Sequence, residues 1–141
     1  MSSGKILWVD DEIQLLKPHM LFLEKKNYEV VPCTNGADAV ESVNEEQFDI
    51  VFLDENMPGL SGLETLSQIK EKHTNLPVIM ITKSDEEYIR EEASGSKIAY
   101  YLIKPVNPNQ IQISLKKNQD IGRMVSEKTT SNYHQEFRMI S

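Results

Sequence analysis

Three carboxylates, one hydroxyl and one ammonium stand at the ends of four short apolar runs in this 141-residue chain. Asp10 and Asp11 follow Ile6 to Val9, Asp54 closes Ile50 to Leu53, Thr82 ends Val78 to Ile81, and Lys104 with Pro105 follows Tyr101 to Ile103. If the runs are parallel strands of one sheet, all five side chains share its carboxyl edge, where open α/β sheets bind ligands. Crowded carboxylates repel by roughly 4 kcal/mol per pair at about 4 Å and an effective dielectric near 20, so a cation must offset them. Oxygen-only donors suit Mg²⁺, with Asp11 and Asp54 as expected ligands and Asp10 as a water-mediated one. His19, His73 and His134 are too scattered along the chain to suggest zinc.

With that cation in place, one Asp54 oxygen is free to attack phosphorus and form an aspartyl phosphate. Lys104, a compact point charge on a flexible stem, would neutralise the equatorial oxygens during in-line transfer. Thr82 would donate its hydroxyl to a phosphoryl oxygen, an interaction available only after phosphorylation and therefore able to shift a conformational equilibrium.

The elements that must position these groups alternate: β-branched apolar runs, then stretches of helical period, five times over, which predicts repeated βα units and a parallel sheet. Strands are expected near Lys5 to Val9, Glu29 to Cys33, Asp49 to Leu53, Val78 to Ile81 and Tyr100 to Ile103. A first helix over Ile13 to Lys26 turns Leu16, Met20 and Leu23 inward, with Pro18 tolerable only in or near a first turn. A second, Ala37 to Glu46, points Ala37, Val40 and Val43 inward, and a third after Ser61-Gly62 buries Leu63, Leu66 and Ile69. A short acidic stretch from Asp85 to Ala93 and a helix from near Pro108 carrying Ile111 and Leu115 complete the alternation. Residues 118–141 are too few for a core of their own and read as a connector, with Asn132 and Gln135 spaced as a capping box.

With 39% hydrophobic and 26% charged residues the chain fits one globular domain. Residues 1–117 hold 12 basic against 19 acidic side chains, the whole of the net charge of −7, while 118–141 balance at three each. That excess argues against direct nucleic-acid binding. A lone cysteine, Cys33, forbids an intrachain disulfide and suits a reducing compartment. Met1 to Gly4 leave no room for a signal peptide's apolar region before the first strand, and no apolar run is long enough to span a bilayer, so a cytoplasmic, soluble domain without membrane insertion is expected.

Over residues 5–117 these motifs resemble the receiver domain of two-component response regulators. The resemblance implies a flavodoxin-like, CheY-like doubly wound five-stranded parallel sheet of order 2-1-3-4-5, the arrangement that also illustrates ligand binding at a switch point in a chemotaxis receiver. It implies Asp10-Asp11 as the acidic pair, Asp54 as phospho-acceptor, Thr82 as switch hydroxyl, Tyr101 as aromatic switch, and Lys104 as the catalytic lysine. It further implies that Asn56 gives its backbone carbonyl to Mg²⁺ and that Lys104-Pro105 is a cis peptide. A sensor histidine kinase would be the phosphodonor, and phosphorylation would switch a homodimer or an output domain. The domain would load and unload its own phosphoryl group but turn over no external substrate. Trp8-Val9-Asp10-Asp11-Glu12, Leu53 to Gly59 and Ile103 to Gln110 look closest to PorX-type regulators, in which a receiver and helical connector precede an alkaline-phosphatase-superfamily output domain linked to type IX secretion. The tail Ser126 to Thr130 with Glu136-Phe137-Arg138 is similar to that connector, a resemblance that implies a regulatory fragment.

Two departures stand out. Lys83 follows Thr82 where most receivers keep a small residue, and Ala99-Tyr100 replaces the more usual Ala-Asp before the aromatic. Lys83 motivates a rival reading as a phosphorylation-independent pseudo-receiver, an interaction module alone. A Mg²⁺-dependent phosphatase with Asp54 as nucleophile would need a second acid two residues on, and that position is Asn56.

Overall fold

The computed structural model describes residues 3–83 and 100–116. Five strands, β1 (Gly4–Val9), β2 (Tyr28–Cys33), β3 (Ile50–Asp54), β4 (Val78–Thr82) and β5 (Tyr100–Ile103), form one sheet in the order β2-β1-β3-β4-β5. Every neighbouring pair is parallel. The expected order and sheet type are therefore the observed ones, and each strand lies within a residue of its sequence-based bounds.

Alternation along the strands splits the core in two. Leu7, Val9, Val51, Leu53, Val78 and Met80 face one side, where they pack with Ala39, Val43, Leu66 and Ile69 of helices α2 (Gly36–Glu45) and α3 (Gly62–Lys72). Ile6, Trp8, Ile50, Phe52, Ile79 and Ile81 face the other, with Leu23 of helix α1 (Lys17–Lys25) and Ile111 and Leu115 of a helix over 108–116. Helices on both faces leave the central strands no solvent side, which is why β3 and β4 read as unbroken apolar runs. On the outermost strand, β2, Pro32 pairs in register with Trp8, and the neighbouring Cys33 carbonyl turns inward to accept from the Asp10 amide at 2.9 Å.

The first helix differs from its expected form. Ile13–Leu16 make a 3-10 turn, and the α-helix starts only at Lys17, placing Pro18 in its first turn. A helix continuous from Ile13 would have required a proline amide hydrogen and a ring clear of the carbonyl four residues back, and neither exists. Asn27, just past the end, adopts φ 70° and donates its amide to the Glu24 carbonyl at 3.0 Å, closing the helix in the left-handed conformation asparagine tolerates.

In α2 Val43 is buried and Val40 half-buried, as expected, but the expected inward position of Ala37 is corrected: it is exposed, and Gly36 and Ala39 are buried in its place. Gly36 sets that phase. A Cβ there would lie 2.0 Å from the Thr65 hydroxyl, so the start of α2 sits directly against α3, and the stripe i, i+3, i+7 from Gly36 follows. The start of α3 carries a reciprocal capping box, with the Glu64 amide donating to Ser61 Oγ and the Ser61 amide to Glu64 Oε1, both at 3.1 Å. Ser61→Ala is expected to cost about 1 kcal/mol in urea denaturation, with an unchanged far-ultraviolet spectrum.

Cys33 is buried, and that burial raises its thiol pKa, as fits a small inert apolar residue. No helix among the described residues is long and apolar enough to cross a membrane. The expected stretch at 85–93 and the connector at 118–141 lie outside the described residues.

Candidate phosphoryl-acceptor site

Four strand ends converge on one pocket. The carboxylates of Asp10, Asp11 and Asp54 each bring an oxygen within 4.8 Å of the others, with Asp10 and Asp54 buried and Asp11 exposed. Lys104 Nζ reaches Asp10 Oδ2 at 3.1 Å and Asp54 Oδ2 at 3.3 Å. The backbone holds Asp10, Asp54 and Lys104. Asp10 is tied to β2 through the Cys33 carbonyl, and its Oδ1 accepts the Glu12 amide at 2.8 Å, fixing the turn into Ile13. Asp54 repeats the device: Oδ1 accepts the Asn56 amide at 3.2 Å, while the next amide, of Glu55, donates to the Ile81 carbonyl at 2.8 Å. The Lys104 amide donates to the Thr82 carbonyl at 2.7 Å, so the ends of β4 and β5 are locked together.

A family profile described as the response regulator receiver domain matches residues 6–116. The chain belongs to that family. Among curated proteins similar to this receiver, the transcriptional regulatory protein ResD of Bacillus subtilis is 35% identical over 115 residues, 82% of this chain and 48% of its own. The transcriptional regulatory protein SrrA of Staphylococcus aureus is 31% identical over 114 residues, 81% of this chain and 47% of its own. The chain thus spans about half the length of the curated relatives it matches. Among solved structures, the chemotaxis protein CheY4 of Vibrio cholerae superposes with a TM-score of 0.76 at 26% identity, covering 81% of this chain and 97% of that one. A receiver domain protein from Clostridium thermocellum gives 0.78 at 27% identity, covering 86% and 98%.

One ammonium faces three carboxylates in this receiver, and the excess shows in Asp54. Burial, then the Asp10 charge, pushes its pKa up to about 6, against the opposing pull of Lys104 and the Asn56 amide. Burial also disfavours the Lys104 ammonium, but Asp54 and Asp10 outweigh it and raise its pKa. A donor set made only of oxygens and carrying uncompensated negative charge fits a hard divalent cation.

Because folding raises the Asp54 pKa from 3.8 to about 6, the folded domain binds that proton more tightly than the unfolded chain. Asp54 therefore does not oppose folding below about pH 4, and it opposes folding increasingly as pH rises through 6, by about 3 kcal/mol at the plateau. In EDTA, Asp54→Asn is expected to exceed the parent in urea-denaturation stability by about 2–3 kcal/mol at pH 7.5, the gap closing as pH falls toward 4. A pH-independent gap would refute this electrostatic account.

Of the remaining sequence-predicted residues, Thr82 is buried at the carboxyl end of β4. Tyr101 is half-buried on β5, paired in register with Met80 and packed against the α2–α3 side of the core. Asn56 has an exposed side chain, and its amide is engaged with Asp54. Lys104-Pro105 is cis, as the family resemblance implies.

Sequence reasoning missed two supports. Met57, in the loop after Asp54, is 7% exposed and belongs to the core, anchoring that loop. Gly62 donates its amide to the Glu55 carbonyl at 2.9 Å and lies so close beneath Asp54 that a Cβ would sit 2.4 Å from the Asp54 carbonyl oxygen. The glycine eight residues after Asp54 was the available signal for that contact.

Proposed function

We propose that Asp54 accepts a phosphoryl group from the phosphohistidine of a sensor histidine kinase, and that the modified receiver switches a partner surface. The observation carrying this reading is the Asp10, Asp11 and Asp54 oxygens within 4.8 Å, with Lys104 Nζ 3.3 Å from Asp54 Oδ2. An Asp54 oxygen forms the new P–O bond as the donor's P–N bond breaks, its electron pair returning to the imidazole nitrogen. Lys104 balances charge on the transferring oxygens, and Thr82, one strand over, is the hydroxyl within the same strand-end row that can grip the phosphorylated state. Mg²⁺ held by Asp10, Asp11, Asp54 and the Asn56 carbonyl would supply the remaining positive charge. Tyr101, on the next strand, would follow Thr82 inward and carry the change to the surface used for dimerisation or output.

The finer reading is a cytoplasmic PorX-type regulator whose output domain acts in type IX secretion. Its support is the match of whole segments, Trp8 to Glu12, Leu53 to Gly59 and Ile103 to Gln110. On this reading residues 1–117 are the receiver and 118–141 lead toward that output domain.

Incubation with acetyl phosphate and Mg²⁺ should add one phosphoryl group per chain, mapped to Asp54 after borohydride reduction. Asp54→Ala should carry none. Label retained in that variant, or absent from the parent, would overturn the assignment.

A further inference from the structure

β4 and β5 run in parallel register with Thr82 opposite Ile103, and the Lys104 amide carries the pairing one step further by donating to the Thr82 carbonyl at 2.7 Å. The next register position sets Lys83 beside Lys104, two ammonium side chains at one sheet edge, with their backbones about one strand spacing, roughly 5 Å, apart. Lys83 continues the phase of Ile79 and Ile81, and Lys104 that of Leu102, all residues of the α1 side of the core, and both lysines line one cleft with Asp10 and Glu12. Their surroundings differ. Lys104 Nζ is held between Asp10 and Asp54, whereas Lys83 is exposed and its ammonium pairs with no carboxylate among the described residues.

Phosphorylation changes the charge these two cations meet. Esterifying Asp54 replaces a singly charged carboxylate with a phosphoryl group of about −1.5 to −2 at neutral pH, whatever else the pocket holds. Lys104 is already shared by two buried carboxylates, so the added charge calls for a second cation. We propose that Lys83 is that cation, its ammonium gripping a phosphoryl oxygen on Asp54 and staying in solvent before the group arrives. The proposal rests on Asp54 being the phospho-acceptor. Lysine suits the role because its flexible four-carbon stem lets a compact charge swing in from water. A contact made in one state alone stabilises that state, so Lys83 shifts the balance toward the phosphorylated receiver and adds nothing to the resting fold. Charge and bulk also predict opposite signs: a side chain that merely obstructed the acceptor would weaken binding there, and its removal would strengthen it.

The test titrates the chain with beryllofluoride in saturating Mg²⁺ and follows the bound fluorines by ¹⁹F NMR, since this anion adds to a carboxylate oxygen with the shape and charge of a phosphoryl group. Lys83→Met, which keeps the length and removes the charge, is expected to bind it at least about three-fold more weakly, and Lys83→Arg to stay closer to the parent. The parent's affinity should also fall more steeply with added KCl than that of Lys83→Met. Mg²⁺ binding, followed by ¹H–¹⁵N shifts, should be undiminished in Lys83→Met, because the lost cation repels the metal and does not hold it. Lys83 is exposed, so these variants are expected to keep the parent's urea midpoint. A smaller loss in Lys83→Met, an equal loss in Lys83→Arg, one salt dependence for parent and variant, a parallel loss of Mg²⁺ affinity, or tighter binding by Lys83→Ala would overturn the role of Lys83. If the parent itself binds no beryllofluoride, the acceptor reading falls and this proposal with it; if the parent binds and Lys83→Met matches it, only the second cation falls.

Discussion

Lys104→Ala is expected to slow acetyl-phosphate labelling of Asp54 by two to three orders of magnitude, about what removal of one preorganised charge-stabilising donor costs elsewhere. Lys104 Nζ lies 3.1 Å from Asp10 and 3.3 Å from Asp54, and its place at the end of β5 is fixed by a hydrogen bond from its backbone amide to the Thr82 carbonyl. Its loss strands two buried carboxylates. In EDTA at pH 7.5 the variant should be about 3 kcal/mol less stable, the low end for breaking a buried pair, because Asp54 with its pKa near 6 readily takes up a proton instead. Lowering the pH or adding Mg²⁺ should recover part of that loss, each by neutralising the same charge. Labelling within ten-fold of the parent would show that Lys104 is a structural ion-pair partner only.

Gly62→Ala is expected to cost about 3 kcal/mol or more and to cut labelling at least about ten-fold, though residue 62 bears no reactive group. Its Cβ would lie 2.4 Å from the Asp54 carbonyl oxygen and from Glu55 Cα, and 2.9 Å from the Glu55 carbonyl oxygen. These are backbone atoms, so relief requires moving the strand end that aims Asp54. Gly59 is the control. It adopts φ 77° but has open space around a built Cβ, so Gly59→Ala should cost only about 1 kcal/mol and leave labelling intact. Equal effects at the two positions would remove the argument for a positioning role of Gly62.

The sheet was legible because β1, β3 and β4 are buried on both faces: only unbroken runs such as Ile50 to Leu53 satisfy that, and a polar residue after each run (Asp10, Asp54, Thr82) marks its exit. Asp10, Asp54, Thr82 and Lys104 could be placed on one edge from that regularity alone, and the Lys104–Asp10 and Lys104–Asp54 contacts follow. What escaped was anything set by contact between elements. Ala37 and Ala39 have the same propensity, and only the close approach of Gly36 to Thr65, which leaves no room for a Cβ, decides which turns inward. Met57 is apolar in a polar loop, a pattern that gives no hint of where its side chain goes until the core cluster is seen. Trp8 could be assigned to the core by type, but its edge-to-face contact with His19 at 6.1 Å depends on α1 packing over β1.

The inward-turned Cys33 carbonyl means that Pro32, one residue earlier, presents its nitrogen and carbonyl outward on the rim of the sheet. That nitrogen has no hydrogen, so an incoming chain looking for a ladder at β2 meets a missing rung. This rim is thereby guarded against edge-to-edge polymerisation, the hazard every open sheet carries. Self-association entered from the β2 side is thus steered toward helix surfaces, which can be loosened by a signal, and away from a growing sheet, which cannot.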